Sequence, residues 1–420
     1  MNTRNAPRTR YAIVGTGSRA AMFVRALTAE HRDTCELVAL ADPNPVRIAW
    51  HNDRLPAPVP AYPASEFATM IERERVDVVI VCTVDRYHDE YIVAALEAGC
   101  DVLTEKPMTI DARRCARILD AVHRTGHQVR VTFNYRYNPL HEAVKRIIAG
   151  GEIGEVGSVH FEWLLDVRHG ADYFRRWHRD KADSGGLLVH KAGHHFDLVN
   201  WWLDDDPASV YADGRLFFYG GDGAGHGAGK FAIDMSDPDL TALYGDAAVQ
   251  ADGYRRDQDV FAPGVTIEDD LAVLVRYARG ATLTYHLTAY APWEGYRIAF
   301  NGSRGRLELD VIETDHVSVE AADSLKGHRE PGTKSLRLRP FFGPPVEVPV
   351  EGYARAGHGG ADVRMLAQLL DPAAPADPLG RSADAAAGAR ALLIGLAANE
   401  SITTGRPVRP AELEAGITHA

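Results

Sequence analysis

A chain of 420 residues with 45% hydrophobic content is longer than a single hydrophobic core usually serves, so two domains are expected. The formal net charge of −12 argues against nucleic acid or an anionic membrane as the main partner, and there is no polybasic tail. The cysteines Cys35, Cys82, Cys100 and Cys115 form no CxxC, and the polar stretch Met1 to Arg10 reads as neither signal peptide nor membrane span. A reduced protein of the cytoplasm is therefore expected.

From Tyr11 to about Asn134, short apolar runs alternate with amphipathic stretches. Strands are predicted at Tyr11 to Val14, Glu36 to Ala41, Val76 to Cys82, Asp101 to Thr104 and Val129 to Phe133. Segments such as Ala20 to Leu27 and Tyr91 to Ala98 have helical spacing between them. Strands apolar on both faces and joined by helix-length crossovers imply a parallel sheet covered on both sides, over residues 8–134.

After Tyr135 longer strand-like segments appear at Val156 to Asp166, Val210 to Tyr219, Asp270 to Tyr277, Ala281 to Tyr290 and Tyr296 to Phe300. Leu283, Tyr285 and Leu287 alternate with Thr282, Thr284 and His286, as in an antiparallel sheet with one buried face. Residues 135–420 are thus predicted as an α+β domain with a large, mostly antiparallel open sheet. Residues 220–263 form a Gly-rich, acidic stretch of weak periodicity, which includes Gly220-Gly221-Asp222-Gly223 and Tyr254-Arg255-Arg256-Asp257. It reads as a lid, an oligomer contact or a surface loop. Helical composition returns at Ala361 to Leu370 and Ala383 to Asn399.

The first strand runs into Gly15-Thr16-Gly17-Ser18-Arg19-Ala20 and then a helix. Gly15 permits the tight turn, Gly17 admits a pyrophosphate, and the helix start offers N–H groups to the phosphates. The second strand ends at Asp42, where an acid is expected to accept from ribose hydroxyls. That acid would repel a 2′-phosphate, so NAD is expected over NADP, although Arg19 and Arg47 are near enough in sequence to reach a phosphate. Glu105-Lys106-Pro107 follows another strand at the carboxyl edge of the sheet, where ligands of open α/β folds bind.

Taken together, the glycine turn, Asp42, the Thr83 to His88 loop, Glu105-Lys106-Pro107, Asn134 to Pro139, Gly185-Gly186 leading to His194-His195-Phe196-Asp197, the Gly302 to Gly305 turn and His358-Gly359-Gly360 resemble the Gfo/Idh/MocA family of glucose/fructose oxidoreductases and inositol dehydrogenases. The resemblance implies a Rossmann domain that binds the dinucleotide through Gly15, Gly17, Ser18, Arg19, Asp42, Thr83, His88, Glu105 and Lys106. It also implies a homodimer or homotetramer. In the family a lysine, an acid and a histidine four residues after that acid surround the reacting hydroxyl. Carried over, these are Lys106 and His194, with His190 in the acid's place, so the aspartate that would orient or charge the histidine is missing.

Leu187 to Trp202 reads as one helix, with His190 and His194 a turn apart on one face and Lys191 and His195 on the next. His194 is the expected base for the hydroxyl proton, with Lys106 positioning the hydroxyl and His190 and Lys191 as further catalytic candidates. Two histidines a turn apart also suit a metal, but no third ligand is set by spacing, and the resemblance implies no metal. Tyr173 to Lys181 is a cationic, aromatic patch in which Arg175, Arg176, Trp177 and His178, with His195 and Tyr135, are expected to bind a carbohydrate, possible anionic substituents included. The expected activity is NAD-dependent oxidation or reduction of a hydroxyl of a sugar, sugar derivative or cyclitol. The alternative is an NAD-dependent, redox-neutral glycoside hydrolase, and an NAD-sensing regulator without activity is the third reading.

Overall fold

The computed structural model describes residues 7–221, 228–317, 333–353 and 357–413. Asp222 and Gly223 of the glycine run, and the side chain of His358, lie outside that description. The first sheet holds β1 (Thr9–Val14), β2 (Cys35–Ala41), β3 (Ala61–Tyr62), β4 (Val78–Val81), β5 (Asp101–Thr104) and β6 (Val129–Val131), all parallel, in the order β6-β5-β4-β1-β2-β3. Ala12, Ile13, Val14, Val79, Ile80 and Val81 are fully buried, as strands covered on both faces must be. The order reverses between β1 and β4, and open α/β sheets bind ligands at the carboxyl ends beside such a reversal. The glycine turn leaves β1 there, the Thr83 loop leaves β4, and Glu105-Lys106 leaves β5.

The second sheet holds β7 (Val156–Asp166), β8 (Pro207–Arg215), β9 (Asp270–Tyr277), β10 (Thr282–Ala291), β11 (Glu294–Gly302), β12 (Gly305–Thr314), β13 (Lys334–Pro340) and β14 (Val346–Glu347), in the order β14-β13-β12-β11-β7-β10-β9-β8. Only β7 and β10 run parallel. Along β9 and β10 every second residue is buried. One face therefore packs on the helices Gly193–Leu203 and Ala385–Thr404, around Trp163, Trp202, Phe196 and Phe300, and the other stays open. The fold class matches the expectation. The strand predicted at Val210 to Tyr219 runs instead from Pro207 to Arg215, since Phe217, Phe218 and Tyr219 turn their N–H groups onto the Asp269 carboxylate.

The chain returns to the first sheet near its end, where β15 (Ala383–Asp384) pairs antiparallel with β6. The Gly-rich stretch contains two short helices, Pro238–Tyr244 and Asp246–Asp252. Asp237 starts the first by accepting the N–H groups of Asp239 and Leu240, and Pro238 fills the first helical position, where no N–H is needed.

The helix predicted over Leu187 to Trp202 is two, Leu187–His190 and Gly193–Leu203. The ladder slips at the join: Ala192 N–H bonds back to Leu187 O, five residues away, and His195 N–H to Ala192 O, three away. Gly193 lies at this slip, and glycine holds a helix about 1 kcal/mol less well than alanine. The four-residue spacing of His190 and His194 therefore does not translate into one shared helical face.

Candidate active site

Gly15 takes φ +86°, and a Cβ there would lie 2.5 Å from the Cys82 carbonyl carbon, so both conformation and space demand glycine. The turn is held by Asp42: one carboxylate oxygen accepts from Thr16 N (2.6 Å) and Thr16 Oγ1 (3.0 Å), the other from Asn44 N (2.7 Å). Arg47 stands 3.8 Å away, and Asp42 is only 4% exposed. The acid expected to meet a ribose is thus first the clamp of the glycine turn.

Two other residues expected at the cofactor pair with each other: Arg19 Nε lies 2.6 Å from Glu105 Oε1, and Arg19 also reaches Asp362 at 3.4 Å. The bridge fastens the start of the helix Ala20–Arg25 to the end of β5. His88 is fully buried, its Nδ1 2.8 Å from Pro107 O and its Nε2 3.1 Å from Thr83 O. It pins the loop after β4 to the loop after β5, so both of its ring nitrogens are engaged by backbone carbonyls. Thr83 stays partly exposed at the sheet's carboxyl edge, and Ser18 N–H donates to the Tyr244 hydroxyl at 2.8 Å.

Lys106, Asp85 and His190 form one chain. Lys106 Nζ lies 3.3 Å from His190 Nε2 and 3.3 Å from His190 O, and His190 Nδ1 lies 2.5 Å from Asp85 Oδ2. The carboxylate that the sequence lacks beside its histidine comes from the other domain. Asp85 sits in the Thr83 to His88 loop already noted at the sheet's carboxyl edge, but nothing in the sequence links it to a histidine 105 residues on. Burial pushes the Lys106 ammonium below its ordinary range, against the opposing charges of Asp85 and Glu105, while Arg19 and Arg176 add to the fall. Burial also drives His190 well down, with Lys106 the next cause. A neutral His190 donates its Nδ1–H to Asp85 and turns the Nε2 lone pair to Lys106.

Rings enclose this chain. His178 meets His190 edge-on at 4.2 Å, Tyr173 and Trp177 at 5.8 Å, and Trp177 stacks on His178 at 3.6 Å. His194 is elsewhere in the wall: its ring stacks on Tyr135 at 4.6 Å, and Tyr135 stacks on Trp163 at 5.6 Å. The imidazole hydrogen-bonded to Lys106 is therefore His190, where the family resemblance pointed to His194.

Three further candidates, His195 and Arg175 for the substrate and Lys191 for catalysis, are buried. His195 is fully buried, stacked on Trp163 at 4.1 Å and bonded to the Tyr285 hydroxyl at 2.7 Å. The Lys191 ammonium lies 4.7 Å from the Trp163 ring centre and is 4% exposed. Arg175 is 4% exposed and donates to Phe231 O at 2.5 Å. Arg176 pairs with Asp172 at 3.0 Å.

Comparison with known proteins assigns the framework. Residues 9–133 match the family model described as an oxidoreductase family NAD-binding Rossmann fold, and residues 145–409 match the model of its C-terminal alpha/beta domain. The chain belongs to the Gfo/Idh/MocA oxidoreductase family. Within this family it is 34% identical to YteT, an oxidoreductase by name, from Bacillus subtilis (strain 168), over 95% of this chain and 97% of that one. It is 30% identical to inositol 2-dehydrogenase of Rhizobium meliloti (strain 1021), over 48% of this chain and 57% of that one. A crystal structure of an aldose-aldose oxidoreductase from Caulobacter crescentus, complexed with glycerol, shares the fold with a TM-score of 0.65 at 19% identity, over 96% and 100% of the two chains. So does the WlbA dehydrogenase from Bordetella pertussis, solved with NADH and UDP-GlcNAcA, with a TM-score of 0.67 at 18% identity over 96% and 99%. As in other members of the Gfo/Idh/MocA family, the first domain is an NAD(P)-binding Rossmann fold. The turn fits that group: Gly15 needs its positive φ, and at Gly17 a Cβ would crowd the Tyr244 hydroxyl at 3.2 Å, so the turn stays bare on the side where that hydroxyl sits on Ser18 N–H. Among the described residues no helix is long and apolar enough to cross a membrane.

Proposed function

We propose that this oxidoreductase transfers hydride between NAD and a hydroxyl-bearing carbon of a sugar, sugar derivative or cyclitol. The observation that carries the reading is the hydrogen-bonded chain from Lys106 through His190 to Asp85, at the strand ends beside the glycine turn. NAD, once bound, supplies the hydride acceptor. The Lys106 amine, its proton affinity lowered by burial, takes the hydroxyl proton as the C–O double bond forms, and its own N–H groups lean on His190 Nε2 and His190 O. Asp85 fixes the imidazole tautomer and supports the positive charge that Lys106 gains. Trp177 and His178 form the wall for the sugar ring, with His194 and Tyr135 further round it.

The relative named inositol 2-dehydrogenase supports a polyol or sugar as substrate, and the negative charge of Asp42 at the end of β2 supports NAD over NADP. We infer that copies pair through the open face of the second sheet, where Tyr211 and Leu274 are 44% and 46% exposed, to give a homodimer or homotetramer. The four thiols are free, which supports the cytoplasm as the location. The test is incubation of the purified protein with NAD and a panel of cyclitols, aldoses, sugar acids and glycosides, read by NADH absorbance and by mass spectrometry. NADH formed in step with an oxidised sugar is the expected result. Aglycone release without net NADH would replace it with the redox-neutral reaction.

A further inference from the structure

Three guanidiniums converge on one carboxylate beside the site: Arg176 at 3.0 Å, Arg256 at 3.3 Å and Arg175 at 3.7 Å from Asp172. The cluster carries an excess of two positive charges. Burial would raise Asp172, but Arg176, Arg256 and Arg175 hold it down to about 2. Arg256 is 3% exposed, and its Nε and Nη1 are buried with no hydrogen-bond partner among the described residues. Buried cationic donors without an acceptor are costly, and the cost is relieved when an anion fills the gap.

The position of the gap says which anion. Arg256 stacks over the Tyr244 ring at 5.0 Å, and the Tyr244 hydroxyl accepts from Ser18 N at 2.8 Å and donates to Ser18 Oγ at 3.2 Å. That hydroxyl oxygen stands on a backbone N–H of the glycine turn, where a phosphate oxygen of a bound dinucleotide belongs. Burial would raise the Tyr244 phenol, yet Arg256 and Arg176 outweigh burial and bring it below its ordinary range. Negative charge at this oxygen is therefore favoured from the far side of the cleft as well.

We propose that Arg256 and Arg176 form an oxyanion seat that grips the pyrophosphate of the dinucleotide from the side of the second domain, opposite the glycine turn, with Tyr244 giving up its place at Ser18. The two negative charges of a pyrophosphate diester match the two uncompensated positive ones. The seat gives the stretch 220–263 a task, because Tyr244 and Arg256 both come from it. The inference rests on the reading of the Rossmann domain as the dinucleotide site.

The test is titration of NADH, by its fluorescence, into the wild type, Arg256→Met and Arg256→Lys. Adenosine and inorganic pyrophosphate serve as competitors, and melting temperatures confirm the fold. Arg256→Met is expected to weaken NADH binding by about tenfold or more and to blunt competition by pyrophosphate, with competition by adenosine unchanged and Arg256→Lys in between. NADH binding within twofold of wild type in Arg256→Met overturns the proposal. So does an equal loss for NADH and adenosine, or an effect confined to the KM of a carboxylated sugar such as galacturonate, which would assign the seat to the substrate. A wild type that fails to bind NADH at all sinks the dinucleotide reading itself and is distinct from each of these.

Discussion

His190 and His195 stand five residues apart, both buried and both surrounded by aromatic rings, yet they are different chemical objects. His190 lies between a carboxylate and a lysine amine, with Asp85 at 2.5 Å and Lys106 at 3.3 Å. His195 lies between a phenol and an indole, bonded to Tyr285 at 2.7 Å and stacked on Trp163 at 4.1 Å. Burial lowers the proton affinity of both. The first can pass on the consequences of a proton gained by Lys106, whereas the second hydrogen-bonds through Nδ1 to the neutral Tyr285 hydroxyl and leaves Nε2 without a partner among the described residues. Access to a titrating partner, more than burial or residue type, separates a working imidazole from a structural one.

The sharpest way to break this contrast is to remove the base that His190 serves. Lys106→Met is expected to lower kcat by roughly 10²–10⁴-fold while NADH still binds, as a fluorescence titration would show. An active Lys106→Met enzyme would move the chemistry elsewhere, His194 first. Next in size, Asp85→Asn keeps the hydrogen bond but removes its charge. Turnover should fall on the order of 10²-fold, with a smaller change in KM, since the side chain does not face the sugar.

The effect at His195 should be smaller and of another kind. His195→Phe leaves the Tyr285 hydroxyl without its partner and should cost about 1–3 kcal/mol of stability, measured by denaturant unfolding, with turnover per folded molecule close to wild type. The pH dependence supplies a sign. A histidine whose folded proton affinity lies below that of the unfolded chain contributes stability that is present above the ordinary value of 6.5 and is lost as pH falls beneath it. His195→Phe should therefore lose less stability than wild type between neutral pH and pH 5. A fall as steep as that of wild type would contradict the assignment.

The same contrast shows what a reader of the sequence can reach. The glycine turn was legible because strand, turn, helix and acid follow one another within about thirty residues, so local sterics settle the geometry. The parallel and antiparallel sheets were legible from runs and alternation. The pairing of Asp85 with His190 was not, because it joins two domains across 105 residues of chain, which no periodicity announces. Tyr244 and Arg256 were hidden for a related reason: they lie in a stretch whose short helices are held by an Asp cap and by contacts such as Arg47 to Leu243 O at 3.2 Å, with little amphipathic pattern of their own.

The central claim is that a Lys106 amine, tuned by the His190–Asp85 pair, takes the proton of the reacting hydroxyl. Its most direct test is the pH profile of kcat for NADH formation, measured for the wild type and for Asp85→Asn with the same substrate. Because the charge of Asp85 raises the proton affinity of Lys106, its removal should shift the rising limb of the profile to lower pH. A limb that stays in place, or moves to higher pH, would contradict the account.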